Sequence, residues 1–156
     1  MVLDQQEQSE KLIEEFGRQI LVPGINEEGQ INISKKKICI IGLGALGTVA
    51  SQYLVRAGVG EIHLIDYDIV EKSNLHRQIN YDKDDVGKSK SNTSKQKLKN
   101  VNNSTIIKEH SINFESFIKK NPNNNFDLIF DCTDNHQNKI FSSKYSKANK
   151  ISFVSI

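Results

Sequence analysis

Residues 42–47 read Gly-Leu-Gly-Ala-Leu-Gly and follow directly on the apolar run Ile38-Cys39-Ile40-Ile41. Glycine at these spacings is what a backbone needs to hold a phosphate. Gly42 permits a tight turn, Gly44 lets main-chain amides approach an anion, and Gly47 lets the following helix pack close to the strand. The helix N-terminus behind the turn presents free N–H groups and the positive end of a dipole. The next apolar run, Glu61-Ile62-His63-Leu64-Ile65, closes on Asp66. That acid lies roughly 20 residues past the last glycine, where a carboxylate reaches ribose hydroxyls. The glycine spacing alone also occurs in turns that serve only packing, and Asp66 alone could merely end a strand. Strand, glycines, helix and terminal acid in one unit point to a nucleotide.

These residues need elements to carry them. From Lys37 onward, apolar runs alternate with helical patterns. Strands are expected over 37–42, 61–66, 105–109, 126–131 and 151–155, and helices near 45–58, 88–101, 112–120 and 136–148. The alternation predicts an α/β fold, a Rossmann-like doubly wound parallel sheet covered on both faces, with ligands bound at the carboxyl ends of its strands. Upstream, Leu12, Ile13, Phe16 and Ile20 recur at helical spacing, which predicts an amphipathic arm over Gln5–Ile20, ended by Pro23 and Gly24. Residues 26–34 read as a polar connection. The chain is thus expected to divide into an arm and connection over 1–34 and a nucleotide-binding domain over 35–156. Residues 67–87 form a long stretch without a convincing strand, directly after Asp66, and connections of that length are usually functional or disordered.

Composition narrows the functions. The chain has 156 residues and a net charge of +2, so it suits one domain and its charge favours no partner. Its lysines are not interleaved with aromatics as nucleic-acid binding requires. No apolar stretch approaches a membrane span, and the first 15 residues are too polar and acidic for a signal peptide, so the expected location is cytoplasmic. Cys39 and Cys132 sit in apolar strand patterns and read as buried, reduced thiols. With no C-x-x-C pair there is no sulfur-rich zinc site. His63, His76, His110 and His136 lack metal-ligand spacing.

A dehydrogenase would need only the glycine turn and the acid. This chain also carries Gly17-Arg18-Gln19-Ile20, Ser73-Asn74-Leu75-His76-Arg77-Gln78 after Asp66-Tyr67-Asp68, Val86-Gly87-Lys88-Ser89-Lys90, and Asp131-Cys132-Thr133-Asp134-Asn135. In this order and spacing it resembles the adenylyltransferases that activate ubiquitin-like proteins. These include the bacterial enzymes serving molybdopterin synthase and thiamine biosynthesis and the adenylation domains of ubiquitin-activating enzymes. The resemblance runs from about Phe16 to Ile156.

The resemblance implies attack of a C-terminal glycine carboxylate on the α-phosphate of ATP, with loss of pyrophosphate. It implies that Gly42, Gly44 and Gly47 shape the phosphate turn, that Asp66 binds ribose, and that Arg77 and Lys90 neutralise phosphates. Asp134 would hold Mg2+, and Asn74 and Gln78 would orient phosphates or their own loop. Arg18 would reach the active site of the other subunit in a homodimer or a heterodimer with a related chain. Each residue also has a plainer reading. Arg77 could be a surface arginine, Lys90 a solvated lysine, Asp134 a helix cap, and Arg18 a partner for Glu14 or Glu15. His76 occupies a position that the family varies, so no role is implied for it.

The implied partner is a ubiquitin-like or sulfur-carrier protein ending in Gly-Gly, and other carboxylates, including a modified tRNA base, are activated within the same family. Family members continue past the position of Ile156 into the part that receives the acceptor, so nucleotide binding is the better supported half of the expectation. Two other readings remain open: a non-catalytic interaction subunit of such an enzyme, and a NAD-dependent oxidoreductase domain.

Overall fold

The computed structural model describes residue 11 and residues 13–156. Residues 1–10 and 12 of the expected arm lie outside the described residues. Within it, residues 13–16 are helical and turns begin at Gly17, so the helix ends short of the expected Ile20. Phe16 seats over Gly58, where an added Cβ would lie 2.5 Å from the ring. The stretch read as a polar connection is in fact helix α1, Asn26–Ile33. Its one buried side chain is Gln30, whose amide donates to the Ala57 carbonyl at 2.9 Å and accepts from Gln19. A helix anchored by a polar residue shows no apolar period, which is why the sequence pattern concealed it.

The remaining elements follow in order: β1 Lys37–Ile41, α2 Ala45–Arg56, β2 Glu61–Ile65, α3 Lys90–Lys99, β3 Ile106–His110, α4 Phe114–Lys120, β4 Leu128–Asp131, α5 His136–Ala148 and β5 Ser152–Ser155. The five strands form one parallel sheet in the order β3-β2-β1-β4-β5. The expected α/β doubly wound architecture is therefore present. β1 and β2 are buried on both faces, which explains their unbroken apolar runs. Ile38, Ile40, Ile62 and Leu64 pack on one face with Val55 of α2 and Leu98 of α3. Cys39, Ile41, Ile65 and Ile129 pack on the other with Phe114 and Phe117 of α4. The chain runs from β1 outward to β3, then returns to β4 on the other side of β1. The strand order thus reverses between β1 and β4, and a crevice opens at their carboxyl ends. No helix among the described residues is long and apolar enough to cross a membrane.

Among the buried polar groups, His63 sits within the aromatic side of this core. His63 is 3% exposed, and its ring packs edge-on against Phe126. Its Nε2 lies 2.6 Å from the Glu61 carboxylate and its Nδ1 3.1 Å from His110 Nε2. A carboxylate only accepts, so Nε2 carries the proton and Nδ1 accepts from His110. Burial, assisted by the nearby Lys37 and His110, lowers the His63 pKa to about 4 despite the Glu61 bond. Burial lowers His110 as well.

The folded pKa lies below the ordinary 6.5. The unfolded chain therefore takes up more protons between these values, and stability falls as pH drops from 6.5 towards 4. From pH 7 to pH 5, above the ordinary carboxylate range, His63 should remove about 2 kcal/mol, which lowers the urea midpoint by roughly 1 M. Most of that loss should vanish in His63→Gln. An unchanged parental midpoint across this interval contradicts the assignment.

Candidate nucleotide site

The crevice is a cleft of about 540 Å³. Gly42, Gly44, Asp66, Asn74, Arg77, Gln78, Lys90 and Asp134 all line it. Gly47 lies behind the cleft and does not line it. An added Cβ there would stand 1.8 Å from the Gly42 carbonyl oxygen, so this glycine lets α2 press against the turn. Gly42 has φ +85, a left-handed conformation suited to glycine. Gly44 is the N-cap of α2 and offers no side-chain cap. First-turn N–H groups have no intrahelical acceptor, so this end of α2 leaves donors that an anion could use.

Asp66, 8% exposed, uses its carboxylate to hold the turn, accepting from the Leu43 N–H at 2.6 Å and the Asp68 N–H at 2.7 Å. Burial raises its pKa, and those two bonds oppose the rise. A carboxylate has about four lone-pair sites, so ribose hydroxyls can still be accepted. Beside Asp66, Tyr67, Ile69, Ile112 and Phe114 give the cleft a partly apolar wall suited to a flat base.

Lys90 is not a solvated lysine. It is 6% exposed, its Nζ lies 2.9 Å from Asp68 Oδ2, and its backbone N–H donates to the Asp68 carbonyl at 3.0 Å. The Asn74 carbonyl accepts from the N–H groups of Arg77 and Gln78, both at 3.1 Å, in a turn that brings these two side chains to the cleft. Arg77 is exposed. Its Nη1 donates to the Ser73 carbonyl at 3.2 Å, and among the described residues no carboxylate pairs with it. Gln78 is 4% exposed, and its Oε1 is buried without a hydrogen-bond partner.

The loop after β4 is held from behind. Asp131 is fully buried, accepts from the Thr133 N–H at 3.0 Å and the Thr133 hydroxyl at 2.7 Å, and accepts from Ser142. This lock turns Asp134 outward. The helix cap is not Asp134 but Asn135, whose Oδ1 accepts from Gln137 and Asn138. Asp134 is exposed, and among the described residues nothing bonds its carboxylate. Mg2+ commonly binds through one or two carboxylates plus substrate phosphates, so an acid on the lining of the cleft, unbonded among the described residues, suits the ion. The described residues contain no cluster of three or more ligands that could hold a metal without such a substrate.

Cys39 is buried as expected, whereas Cys132 is only half-buried and lines the cleft. Burial and the neighbouring Asp131 push the Cys132 thiol up to about 12, so it remains protonated. Arg18 stands apart, exposed in a separate open depression with Phe16, Gln19, Leu21 and Arg56. No ion pair joins it to Glu14 or Glu15. Sequence reasoning assigned no role to Asp68, Asp131 or Tyr81. The first two stood inside quoted motifs, and their partners are visible only in three dimensions.

Comparison with known proteins places the chain among relatives of the same fold. The model of the ThiF family matches residues 16–155. The adenylyltransferase and sulfurtransferase MOCS3 of Xenopus laevis is 36% identical over 126 residues, which cover 77% of this chain and 27% of that protein. The chain therefore spans about a quarter of the length of such relatives. A crystal structure of E. coli MccB with MccA-N7isoASN is 30% identical with a TM-score of 0.73, covering 81% of this chain and 37% of that one. The E. coli tRNA N6-threonylcarbamoyladenosine dehydratase TcdA in complex with ATP has a TM-score of 0.85 over 99% of this chain and 61% of that one. At 24% identity this last likeness shows the fold.

Proposed function

The chain belongs to the ThiF family, and from that premise we propose that it forms the ATP-binding part of an adenylyltransferase acting on the C-terminal carboxylate of a ubiquitin-like or sulfur-carrier protein. The observation that carries this reading is the convergence on one cleft of two cations, Lys90 and Arg77, an acid, Asp134, that nothing among the described residues bonds, and the N-terminus of α2. A dinucleotide oxidoreductase shares the glycine turn and Asp66 but has no use for the other three side chains. The reaction brings a carboxylate onto a polyanion, so its barrier is largely electrostatic. The carboxylate oxygen bonds to the α-phosphorus, the bond to the bridging oxygen breaks, and pyrophosphate leaves. Lys90, fixed by Asp68, and Arg77, paired with no carboxylate among the described residues, would stabilise charge on the transferring and leaving oxygens. Asp66 would hold the ribose, and Asn74 and Gln78 would orient the phosphates or their loop. Asp134 would hold Mg2+, which supplies further neutralisation of phosphate charge.

Equilibrium titration tests the nucleotide. Tight binding of ATP with Mg2+ and weak binding of NAD support the reading, and the reverse order overturns it. ATP–pyrophosphate exchange, with and without an acceptor ending in Gly-Gly, tests the reaction. A cytoplasmic location belongs to the same reading.

Arg18 supports assembly as a dimer, with itself or with a related chain. It lies away from its own cleft and pairs with neither Glu14 nor Glu15, as a residue donated to a neighbour should. An arginine supplied in this way stabilises phosphate charge without obstructing nucleotide entry. Arg18→Ala and Asp134→Asn chains, each inactive alone, should regain exchange when mixed, because a heterodimer contains one intact site. Mixed dimers that recover nothing, beside an active parent, refute the donation.

A further inference from the structure

Tyr81 lies in the long connection after β2, is 6% exposed, and does not line the cleft. Its hydroxyl is 3.0 Å from the Leu43 carbonyl, 3.1 Å from Ser94 Oγ and 3.4 Å from the Lys90 carbonyl. It thus touches the middle of the glycine turn and the first turn of α3, the helix that carries Lys90. The direction of its bonds follows from its neighbours. Asn80 Nδ2 donates to Ser94 Oγ at 3.3 Å and to Ser51 Oγ at 3.2 Å, while Asn80 Oδ1 accepts from Gln52 at 2.9 Å. Carbonyls only accept, so the single phenol proton serves the nearer of the two that Tyr81 meets, Leu43, and the phenol oxygen is left to accept from Ser94. Burial and the negative charges of Asp66, Asp68 and Asp85 push the phenol pKa up, so the proton stays on it.

The Leu43 residue is therefore held from both ends, its N–H by Asp66 and its C=O by Tyr81. The peptide that joins Leu43 to Gly44 is trans and planar, so the Gly44 N–H points opposite to the Leu43 C=O. With the carbonyl turned towards Tyr81, that N–H points away from Tyr81, and Gly44 itself lines the cleft. The N–H donates to no acceptor among the described residues.

We propose that Tyr81 is a positioning residue: it aims the Gly44 N–H at the phosphate chain and couples that donor to the helix bearing Lys90. The proposal rests on the reading of the cleft as a phosphate site. The test uses the full chain and two ligands, ATP with Mg2+ and adenosine, titrated in competition with a fluorescent ATP analogue. Tyr81→Phe should bind ATP about five- to tenfold more weakly, the scale of one neutral hydrogen bond, with adenosine affinity unchanged. An equal loss for both ligands overturns the proposal, because it marks a merely structural residue. Lys90→Met separates the two levels of the argument. If it weakens ATP while Tyr81→Phe changes nothing, the role of Tyr81 is wrong and the phosphate site stands. If neither variant alters ATP affinity, the phosphate reading fails and the proposal fails with it. Should Tyr81→Phe not fold, as judged by circular dichroism, Ser94→Ala removes the donor that orients the phenol and must show the same selective loss.

Discussion

Replacing Asp134 with asparagine is expected to lower ATP–pyrophosphate exchange on the order of 10²–10³-fold, the scale of losing one charged stabiliser of a transition state. Folding should be untouched. The side chain is exposed, no group among the described residues bonds it, and the cap that a Ser, Thr, Asp or Asn commonly supplies at this point is supplied by Asn135. Asparagine keeps the shape and removes the charge, so the experiment isolates the acid's affinity for a hard cation. Two measurements bear on it, exchange as a function of Mg2+ concentration and the urea unfolding midpoint. A variant that exchanges within a few-fold of the parent removes Asp134 from the mechanism. A lowered midpoint would instead reveal a structural task that the contacts do not show.

The second large effect is expected on stability. In Gly47→Ala the new Cβ would lie 1.8 Å from the Gly42 oxygen and 2.9 Å from the Gly42 carbon. Both atoms are backbone at the end of β1, so no flexible side chain can yield. Either α2 lifts from the turn or the turn distorts, at a cost of about 3 kcal/mol or more. ATP affinity should fall as well, because the same movement displaces the N-terminus of α2 from the cleft. Gly44→Ala is the control. Its φ of −79 is open to any residue, and the nearest atom to the added Cβ is the Gln78 amide nitrogen at 3.8 Å. That variant should unfold at the parental midpoint while its methyl group obstructs the close approach of phosphate. Equal midpoints for Gly47→Ala and the parent would refute the packing account.

The two glycines illustrate what could be read in advance. Their spacing was legible because it is a local signature: Gly47 leaves no room for a side chain where the helix sits on the strand, and Gly44 lines the cleft as the turn pattern expected. The strands were legible for a related reason. A parallel sheet covered on both faces demands unbroken apolar runs, and β1 and β2 have them. Helix α1 was not legible, because Gln30 buries a polar group against the Ala57 carbonyl and contributes nothing to an apolar period. The arm was legible only in part, since Gly17 begins a turn where the spacing of Ile13, Phe16 and Ile20 continued the helical pattern.

Residue types and order thus determined the fold class, the glycine turn, the acid at the end of β2, and most of the polar side chains that meet in one cleft. Tertiary structure decided what each of those side chains does with its charge. Lys90 lies in a lysine-rich stretch, and only the return of the chain beside Asp68, 22 residues away, makes it a buried, paired cation. Tyr81 meets the Leu43 carbonyl across 38 residues, and Asn80 meets Ser51 across 29. Asp134 has no partner among the described residues, and its neighbour Asn135 takes the cap. The physical reason for the division is range. Backbone conformation and apolar periodicity are set by neighbours along the chain, whereas the partner of a polar group is whichever group the packed elements bring within about 3 Å of it.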